Sequence, residues 1–321
     1  MLKYIAVAAA LLTATPAMAQ VAFWQSEWPL TNFEKTSVDY ADILSGGPPK
    51  DGIPALYSVE FATLDSTDIP LREPVVTVEI AGETPRAYPL RYLNWHEIVN
   101  DEIGNVPIAV TYCPLCNSEI VYDRRLNGQL LSFGVSGKLR NSNLIMYDRE
   151  TQSWWQQMGG DAIVGEFTGE KLTKVVSWTE SLAAFTQRNA EGLIMAEPEG
   201  FRRQYGQNPY DGYDSAARPF LYRGDPPPFG IAPLARVIQV KNRAWPMERL
   251  RVAGVIEEAG YRIEWKAGMA SALDDRVIAN SRDIGSIRVF DMAGNPVAHE
   301  VVFAFALDAF LGDKAQWMLG E

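Results

Sequence analysis

The residues of this chain best suited to redox or metal chemistry are its two cysteines and two histidines. Both cysteines belong to one motif, Cys113-Pro114-Leu115-Cys116, which lies between two β-rich runs, 106–112 and 119–122. A Cys-x-x-Cys turn between antiparallel strands directs both sulfurs to one place and turns the intervening backbone amides towards them. Because such amides stabilise thiolates, the motif predicts a knuckle that can hold a soft or borderline metal ion.

A metal site needs more ligands than two thiolates, and His96 is the nearest candidate in the sequence. It stands on a predicted helix just upstream of the cysteines. Carboxylates commonly orient a metal-bound imidazole, and Glu97 and Asp101 are placed to do so. Met146 can add a thioether, and His299 is a more distant alternative. Together these residues predict a single site for copper or zinc, and the soft sulfur ligands favour copper.

Two other functions stay open for the same motif. In a thiol–disulfide oxidoreductase, Cys113 attacks a disulfide and Cys116 resolves the mixed disulfide. Redox motifs of this spacing usually open a helix, whose N-terminus lowers the pKa of the first cysteine, whereas residues 117–119 lead into a β-type run. In a non-catalytic binding module, the cysteines form a structural disulfide and the Tyr- and Pro-rich loop 205–230 contacts the partner. The sequence therefore leaves open whether the chain is an enzyme.

The segments around these residues predict an α+β fold that is rich in β-strand, with mainly antiparallel sheets and few helices. Short apolar runs bounded by Gly, Pro, Asn or Asp recur along the chain, which is typical of strands. Asn127-Gly128 predicts a tight hairpin. One helix is expected over residues 90–100, after Pro89, and residues 177–180 have the capping-box pattern that precedes a second helix.

The two halves of the chain share a sequence pattern. The segment Arg86-Ala87-Tyr88-Pro89-Leu90 resembles Arg243-Ala244-Trp245-Pro246-Met247, at a constant offset of 157 residues (86 to 243). At this offset His96 corresponds to Ala253, and the second segment contains no cysteine. We therefore expect two pseudo-repeated lobes, 48–202 and 231–321, joined by the Pro-, Gly- and Tyr-rich loop 203–230. The chemistry is expected in the first lobe alone.

Residues 1–19 have the pattern of a secretory signal peptide: a positive residue, a short apolar run and small residues before a cleavage point after Ala19. The mature chain would begin at Gln20 with an extended lead-in, 20–47, and would contain no membrane span. This pattern predicts a periplasmic or secreted protein. The formal net charge of -11 argues against nucleic-acid binding, because phosphates are bound by concentrated Lys and Arg. The expected partner is an unknown periplasmic protein or a small molecule.

The motifs that carry this chemistry also carry a family resemblance. They resemble an exported prokaryotic family known as domain of unknown function 3179, from about Gly46 to the C-terminus. A more aromatic segment is usual in that family where this chain has residues 302–306. The resemblance implies no activity, only that His96 and the two cysteines occur together. The motifs occur in this order: Lys50-Asp51-Gly52-Ile53-Pro54-Ala55-Leu56, Arg86-Ala87-Tyr88-Pro89, Trp95-His96-Glu97-Ile98-Val99-Asn100-Asp101, Thr111-Tyr112-Cys113-Pro114-Leu115-Cys116, Ser136-Gly137 and Met146-Tyr147-Asp148-Arg149-Glu150-Thr151.

Overall fold

A computed structural model describes residues 16–320 of the chain. Most of the predicted signal peptide, residues 1–15, lies outside this range. Strand accounts for 36% of the structure and helix for 19%, and the sheets are mostly antiparallel, which confirms the predicted β-rich α+β class. The α-helices are α1 Pro16–Glu27, α2 Leu90–His96, α3 Leu182–Arg188, α4 Met247–Ala253 and α5 Ala304–Leu311. Within the described range, no helix is long and apolar enough to cross a membrane.

The strands are short and follow one another closely along the chain. They are β1 Ile43–Ser45, β2 Leu56–Tyr57, β3 Phe61–Ala62, β4 Pro74–Val78, β5 Arg86–Pro89, β6 Ile98–Ile103, β7 Val106–Cys113, β8 Ser118–Asp123, β9 Arg125–Leu126, β10 Gln129–Leu130, β11 Phe133–Arg140, β12 Asn143–Asp148, β13 Trp154–Gln156, β14 Ala162–Val164, β15 Lys174–Val175, β16 Ser177–Ser181, β17 Leu193–Met195, β18 Arg236–Val240, β19 Arg243–Pro246, β20 Val255–Glu258, β21 Tyr261–Lys266, β22 Ser286–Asp291, β23 Glu300–Phe303 and β24 Gln316–Trp317.

Three five-stranded sheets form the first part of the chain. Their strand orders are β1-β11-β12-β13-β14, β15-β8-β7-β6-β2 and β16-β4-β5-β17-β3. The predicted Asn127-Gly128 turn joins β9 to β10, with both residues at positive φ as a tight hairpin requires. The main hydrophobic core runs through these sheets and continues into the second part of the chain, where it includes Phe303 and Phe305.

The second part shares a partial strand order with the first, whereas the two pseudo-repeated lobes stay a prediction. The sheet β23-β18-β19-β24 has the order of β16-β4-β5-β17, with two antiparallel pairs followed by one parallel pair in each. The meander β20-β21-β22 corresponds to β6-β7-β8. Helices α4 and α2 follow their strands at the offset of 157 residues found in the sequence. The common origin of the two parts by duplication stays a prediction.

Three local predictions are wrong because tertiary contacts decide the conformation. The helix expected over residues 90–100 ends at His96, and Ile98–Ile103 is strand β6, paired with β7. The lead-in is not extended throughout, since α1 reaches Glu27. Trp24 of this helix and Trp28 just after it pack against Trp154. The capping-box segment is strand β16, paired along its whole length with β4. The helix after it begins one residue past Ser181, whose hydroxyl caps it by accepting a hydrogen bond from an amide of the first turn.

Candidate functional site

The two cysteines occupy a tight turn between antiparallel strands. Strand β7 ends at Cys113, a 3-10 turn covers Pro114–Cys116, and β8 starts at Ser118. The turn closes because Asn117 adopts the left-handed conformation, at φ 49°, which asparagine tolerates better than most residues. Both cysteines are free thiols, and each is exposed by no more than 1%.

Cys113 receives several hydrogen bonds. Burial by itself raises the pKa of its thiol, but donation from the Cys116 thiol and from the backbone N–H groups of Leu144, Cys116 and Leu115 outweighs it. The result is a lowered pKa for Cys113. The Leu144 nitrogen lies 3.4 Å from the sulfur. The carbonyl oxygen of Ser142 lies 3.8 Å away, where it can accept the proton of the thiol form.

A short hairpin delivers the Leu144 amide to the sulfur. Strands β11 and β12 are joined by Asn141 and Ser142, which have φ values of 50° and 63°. Two successive residues at positive φ form the turn that matches the twist of a hairpin. The turn therefore places the first residues of β12 directly against Cys113.

Cys116 retains its proton. Burial raises the pKa of its thiol strongly, and the hydrogen bond that it donates to Cys113 adds to the effect.

Behind the turn lies a buried polar network, in which Asn143 and Ser118 both donate to the side-chain oxygen of Gln157, at 2.8 and 2.7 Å. The amide of Gln157 in turn donates to Thr111 at 3.0 Å. This network fixes the two strands that carry the cysteines.

A cavity of about 500 Å³ lies beside the cysteine turn. Leu115, the residue between the two cysteines, forms part of its wall, as do Glu97 and Leu144. Other parts of the wall come from 46–53 and from the β-bulge at Gly137. Gly137 cannot carry a side chain, because its φ is 73° and a Cβ would clash with the carbonyl oxygen of Pro48. The remaining wall belongs to the loop after residue 203.

Glu97 terminates helix α2 in an unusual backbone conformation, with φ 59° and ψ −30°. The corresponding residue after α4 is Gly254, with φ 74° and ψ −49°, and both residues donate the same capping hydrogen bond, to Leu93 and Leu250 respectively. Glycine adopts this conformation freely, whereas a residue with a Cβ is strained in it. Glu97 therefore occupies a position that the second part of the chain gives to glycine.

The Glu97 side chain is only 7% exposed and lies in the cavity wall. Burial raises the pKa of its carboxyl well above 4.5, and the nearby charge of Cys113 raises it further. Among residues 16–320, no group donates a hydrogen bond to this carboxyl, whose oxygens stay open to the cavity (the backbone oxygen of Glu97 accepts from Tyr112 on β7). A carboxyl group with a raised pKa thus lines the cavity near Cys113.

The loop 203–230 covers the site. The Tyr213 hydroxyl donates to the Leu115 carbonyl oxygen at 2.9 Å, in the middle of the cysteine turn. The same hydroxyl accepts a hydrogen bond from the Phe220 amide. The carbonyl oxygen of Phe220 accepts a hydrogen bond from the Ser142 hydroxyl. Tyr210 lines the cavity, where burial and the charges of Glu97 and Cys113 raise its phenol pKa.

His96 joins this loop to the segment around Pro54. Its Nδ1 lies 2.8 Å from the Pro54 carbonyl oxygen, and its Nε2 lies 2.6 Å from the Tyr205 hydroxyl. Because a carbonyl can only accept, Nδ1 carries the proton and Nε2 accepts from the tyrosine. Burial lowers the imidazole pKa, and the charge of Arg203 lowers it further. Both ring nitrogens are thus engaged away from the cysteines.

The other residues predicted for the metal site are dispersed. Asp101 accepts hydrogen bonds from Arg86 and Tyr88, at 2.5 and 2.6 Å, and the hydrogen bonds of the imidazole go to Pro54 and Tyr205 rather than to Asp101 or Glu97. Met146 is buried in β12, and the ring of His299 contacts the Val297 carbonyl. Among the described residues, no group of three or more His, Cys, Asp or Glu side chains is arranged to hold a metal ion. The structure therefore brings together Cys113, Cys116 and Glu97, but not His96.

Several groups at this site were missed in the sequence. The Leu144 amide is a backbone group, so no residue type in the sequence indicates it. Gln157 lies far along the chain from the cysteine motif that it supports. Tyr213 belongs to a loop that was expected to contact a partner, and instead it contacts the cysteine turn. Glu97 was predicted as a carboxylate that orients the His96 imidazole, and not as a neighbour of Cys113; the offset of 157 residues, which aligns it with Gly254, could have marked its unusual position.

Comparisons with known proteins give a family but no activity. No curated protein and no solved structure matches the chain. A family model described as "Protein of unknown function (DUF3179)" matches residues 50–314, which include the cysteine turn, the covering loop and nearly all of the second part. The chain therefore belongs to the family of proteins of unknown function DUF3179.

Proposed function

We propose that this protein is an exported thiol–disulfide oxidoreductase in which Cys113 is the nucleophile and Cys116 the resolving thiol. The observation that carries the proposal is the opposite effect of the site on two adjacent thiols. The pKa of Cys113 is lowered although the residue is buried, while the pKa of Cys116 is raised. Because the thiolate is the attacking species, this arrangement supports one nucleophile with a protonated neighbour.

The exchange can be written with its atoms and electrons balanced. The Cys113 thiolate attacks one sulfur of a substrate disulfide, the S–S bond breaks, and one substrate thiolate leaves. Cys116 then attacks the Cys113 sulfur of the mixed disulfide and releases the second substrate sulfur. The proton of Cys116 ends on one of the two released sulfurs. The cysteine pair is oxidised by two electrons, and the substrate disulfide is reduced by two.

Hydrogen bonds take the place of a helix N-terminus at this site. Redox cysteines are often activated at the start of a helix, whereas Cys113 ends a strand and receives N–H groups from its own turn and from β12. These donors are fixed by backbone pairing, so the thiolate is stabilised without a nearby cation. The signal-peptide pattern of residues 1–19 supports the export of this chemistry to an oxidising compartment.

The test compares the reduced wild-type protein with Cys113→Ser and Cys116→Ser. The substrate is 2-hydroxyethyl disulfide, and the products are followed by mass spectrometry of the intact chain. The wild type is expected to form the intramolecular disulfide and release two thiols. Cys116→Ser is expected to accumulate the mixed disulfide at Cys113, because no resolving thiol is present. Cys113→Ser is the matched control and is expected to form neither product at a comparable rate.

Two results would contradict the proposal. One is a Cys113→Ser variant that reacts as fast as the wild type. The other is a folded protein whose thiols do not react. Metal analysis of protein purified without chelator gives a second readout. One equivalent of copper or zinc that depends on both cysteines would favour the metal-site hypothesis, with the two sulfurs as ligands and without His96.

A further inference from the structure

The cavity beside the cysteine turn has the size and the wall of a small-molecule site. Its volume of about 500 Å³ falls within the roughly 300–1,000 Å³ range of such sites. The wall is mainly apolar and aromatic, with contributions from Ile53, Leu115, Val135 and Tyr213. A cavity of this volume admits a molecule or a single side chain rather than a folded partner.

Apart from Glu97, the charged side chains of the wall are Lys138, which is paired with another residue, and Asp211, which faces solvent. The Lys138 ammonium group binds Glu27 at 3.1 Å and packs over the tryptophan cluster of α1. Asp211 is exposed to solvent. Among the described residues of the wall, no cation is therefore left to bind an anionic ligand. Glu97 is the buried polar group that faces the cavity without a partner.

We propose that this cavity binds the substrate of Cys113, and that the substrate is a small uncharged disulfide with a polar atom that contacts the Glu97 carboxyl group. The inference rests on the thiol–disulfide exchange proposed above and adds the route and the class of substrate. Burying an unpaired charge in an apolar site costs far more free energy than burying a neutral group. An anionic disulfide is therefore excluded, whereas a neutral one gains apolar contacts with the wall.

Glu97 supplies the second argument for a ligand. The residue is strained, buried and unpartnered, and Gly254 shows that glycine satisfies the same helix end. Strained residues persist at sites where their side chain has a function. A hydrogen bond to a bound substrate would satisfy the carboxyl group and orient the disulfide towards the Cys113 sulfur. Neither cysteine itself lines the cavity. The wall residue Leu115 lies between them, and the amide of the wall residue Leu144 donates to the Cys113 sulfur, so this part of the wall separates the cavity from the reacting thiol.

The test uses two alkylating reagents that differ in charge but share one leaving group. Iodoacetamide is neutral and iodoacetate is an anion, and the alkylation of Cys113 by each is followed by peptide mass spectrometry. The ratio of the two rates in folded protein is divided by the ratio in urea-unfolded protein, which removes the intrinsic difference between the reagents. We expect the folded protein to favour iodoacetamide by at least about tenfold over this reference.

A pair of neighbouring alanines tests the route. Ala216 lines the cavity and Ala217 does not, although both are exposed. We expect Ala216→Trp to slow the alkylation of folded protein by at least about tenfold and Ala217→Trp to leave it within about twofold. The charge ratio is measured on the wild type, so it decides the question even if a tryptophan variant folds poorly.

The outcomes separate the two proposals. If Cys113 reacts equally with both reagents, or equally in both tryptophan variants, the cavity is not the route and the inference is wrong. The thiol chemistry would then stand without it. If neither reagent labels Cys113 in the folded wild type, the thiol is not nucleophilic. That result overturns the proposed function, and the inference with it.

Discussion

Replacing Glu97 with glycine is expected to stabilise the protein. The substitution removes a residue with a Cβ from a backbone conformation with φ 59° and ψ −30°, which is worth about 1–3 kcal/mol. It also removes a buried carboxyl group without a hydrogen-bond partner in residues 16–320, worth about 1–3 kcal/mol. Two effects oppose this stabilisation. The loss of two buried methylenes costs about 0.8 kcal/mol each, and the greater conformational entropy of glycine in the unfolded chain costs about 0.5–1 kcal/mol.

The net expectation is a gain of about 1.5 kcal/mol in the free energy of unfolding. With an unfolding entropy of about 2.1 cal/mol/K per residue, this raises the Tm by roughly 2 °C. The gain also depends on pH. Burial, and then the charge of Cys113, raise the Glu97 pKa, so the folded wild type becomes less stable as the pH rises from 4.5 through that raised value. The advantage of Glu97→Gly is therefore expected to be larger at pH 8 than at pH 5.

The assay is urea unfolding of both proteins at pH 5 and pH 8, followed by tryptophan fluorescence. The matched control is Gly254→Ala, at the corresponding helix end. A Cβ there would meet no atom within 4 Å, but its φ of 74° should still cost about 1 kcal/mol. A loss of more than about 1 kcal/mol in Glu97→Gly would refute the reasoning, because it would mean that the carboxyl group stabilises the fold.

Three further substitutions test other parts of the structure. Burial raises the pKa of Glu119 to about 7, so the wild type should lose about 3 kcal/mol of unfolding free energy between pH 5 and pH 9. Glu119→Gln should remove this loss. Equal pH dependence of the unfolding free energy in both proteins would contradict the prediction. Tyr205→Phe leaves Nε2 of the buried His96 without its hydrogen-bond donor and should lower the free energy of unfolding by about 1–3 kcal/mol. The covering loop should also be cleaved faster by a protease. An unchanged rate of proteolysis would count against the role of this hydrogen bond in holding the loop. Gly137→Ala combines positive φ with a clash against a backbone carbonyl, whereas Gly82→Ala has positive φ but open space around the new Cβ. Gly137→Ala should therefore lower the Tm, measured by calorimetry, more than Gly82→Ala. Equal decreases in Tm would show that the clash is unimportant.

The cysteine turn could be predicted because its determinants are local. A Cys-x-x-Cys motif between two β-type runs places two sulfurs at one turn whatever surrounds it. The β-rich class follows for the same reason, since short apolar runs with turn residues between them recur along the chain. The offset of 157 residues likewise aligned the starts of α2 and α4, because each helix follows the same local Pro-containing segment.

The ligand set around the cysteines could not be predicted, because it depends on contacts between segments distant in sequence. His96 is near the cysteines in the chain, yet its ring is held by Pro54 and Tyr205. Glu97, the next residue, lines the cavity instead and interacts with the charge of Cys113, since the helix ends at His96 and the backbone turns at positive φ. One step along the chain therefore decides which side chain joins the site.

The sequence by itself determined the family, the strand-rich class and the position of the two thiols. Only the tertiary structure decided that the thiols differ from each other and that a cavity lies beside them. The physical reason is that a pKa depends on the burial and the hydrogen-bond donors around a group. For Cys113 these donors include a backbone amide of β12, delivered by a hairpin turn. Side-chain identities along the chain do not record where a backbone amide will lie.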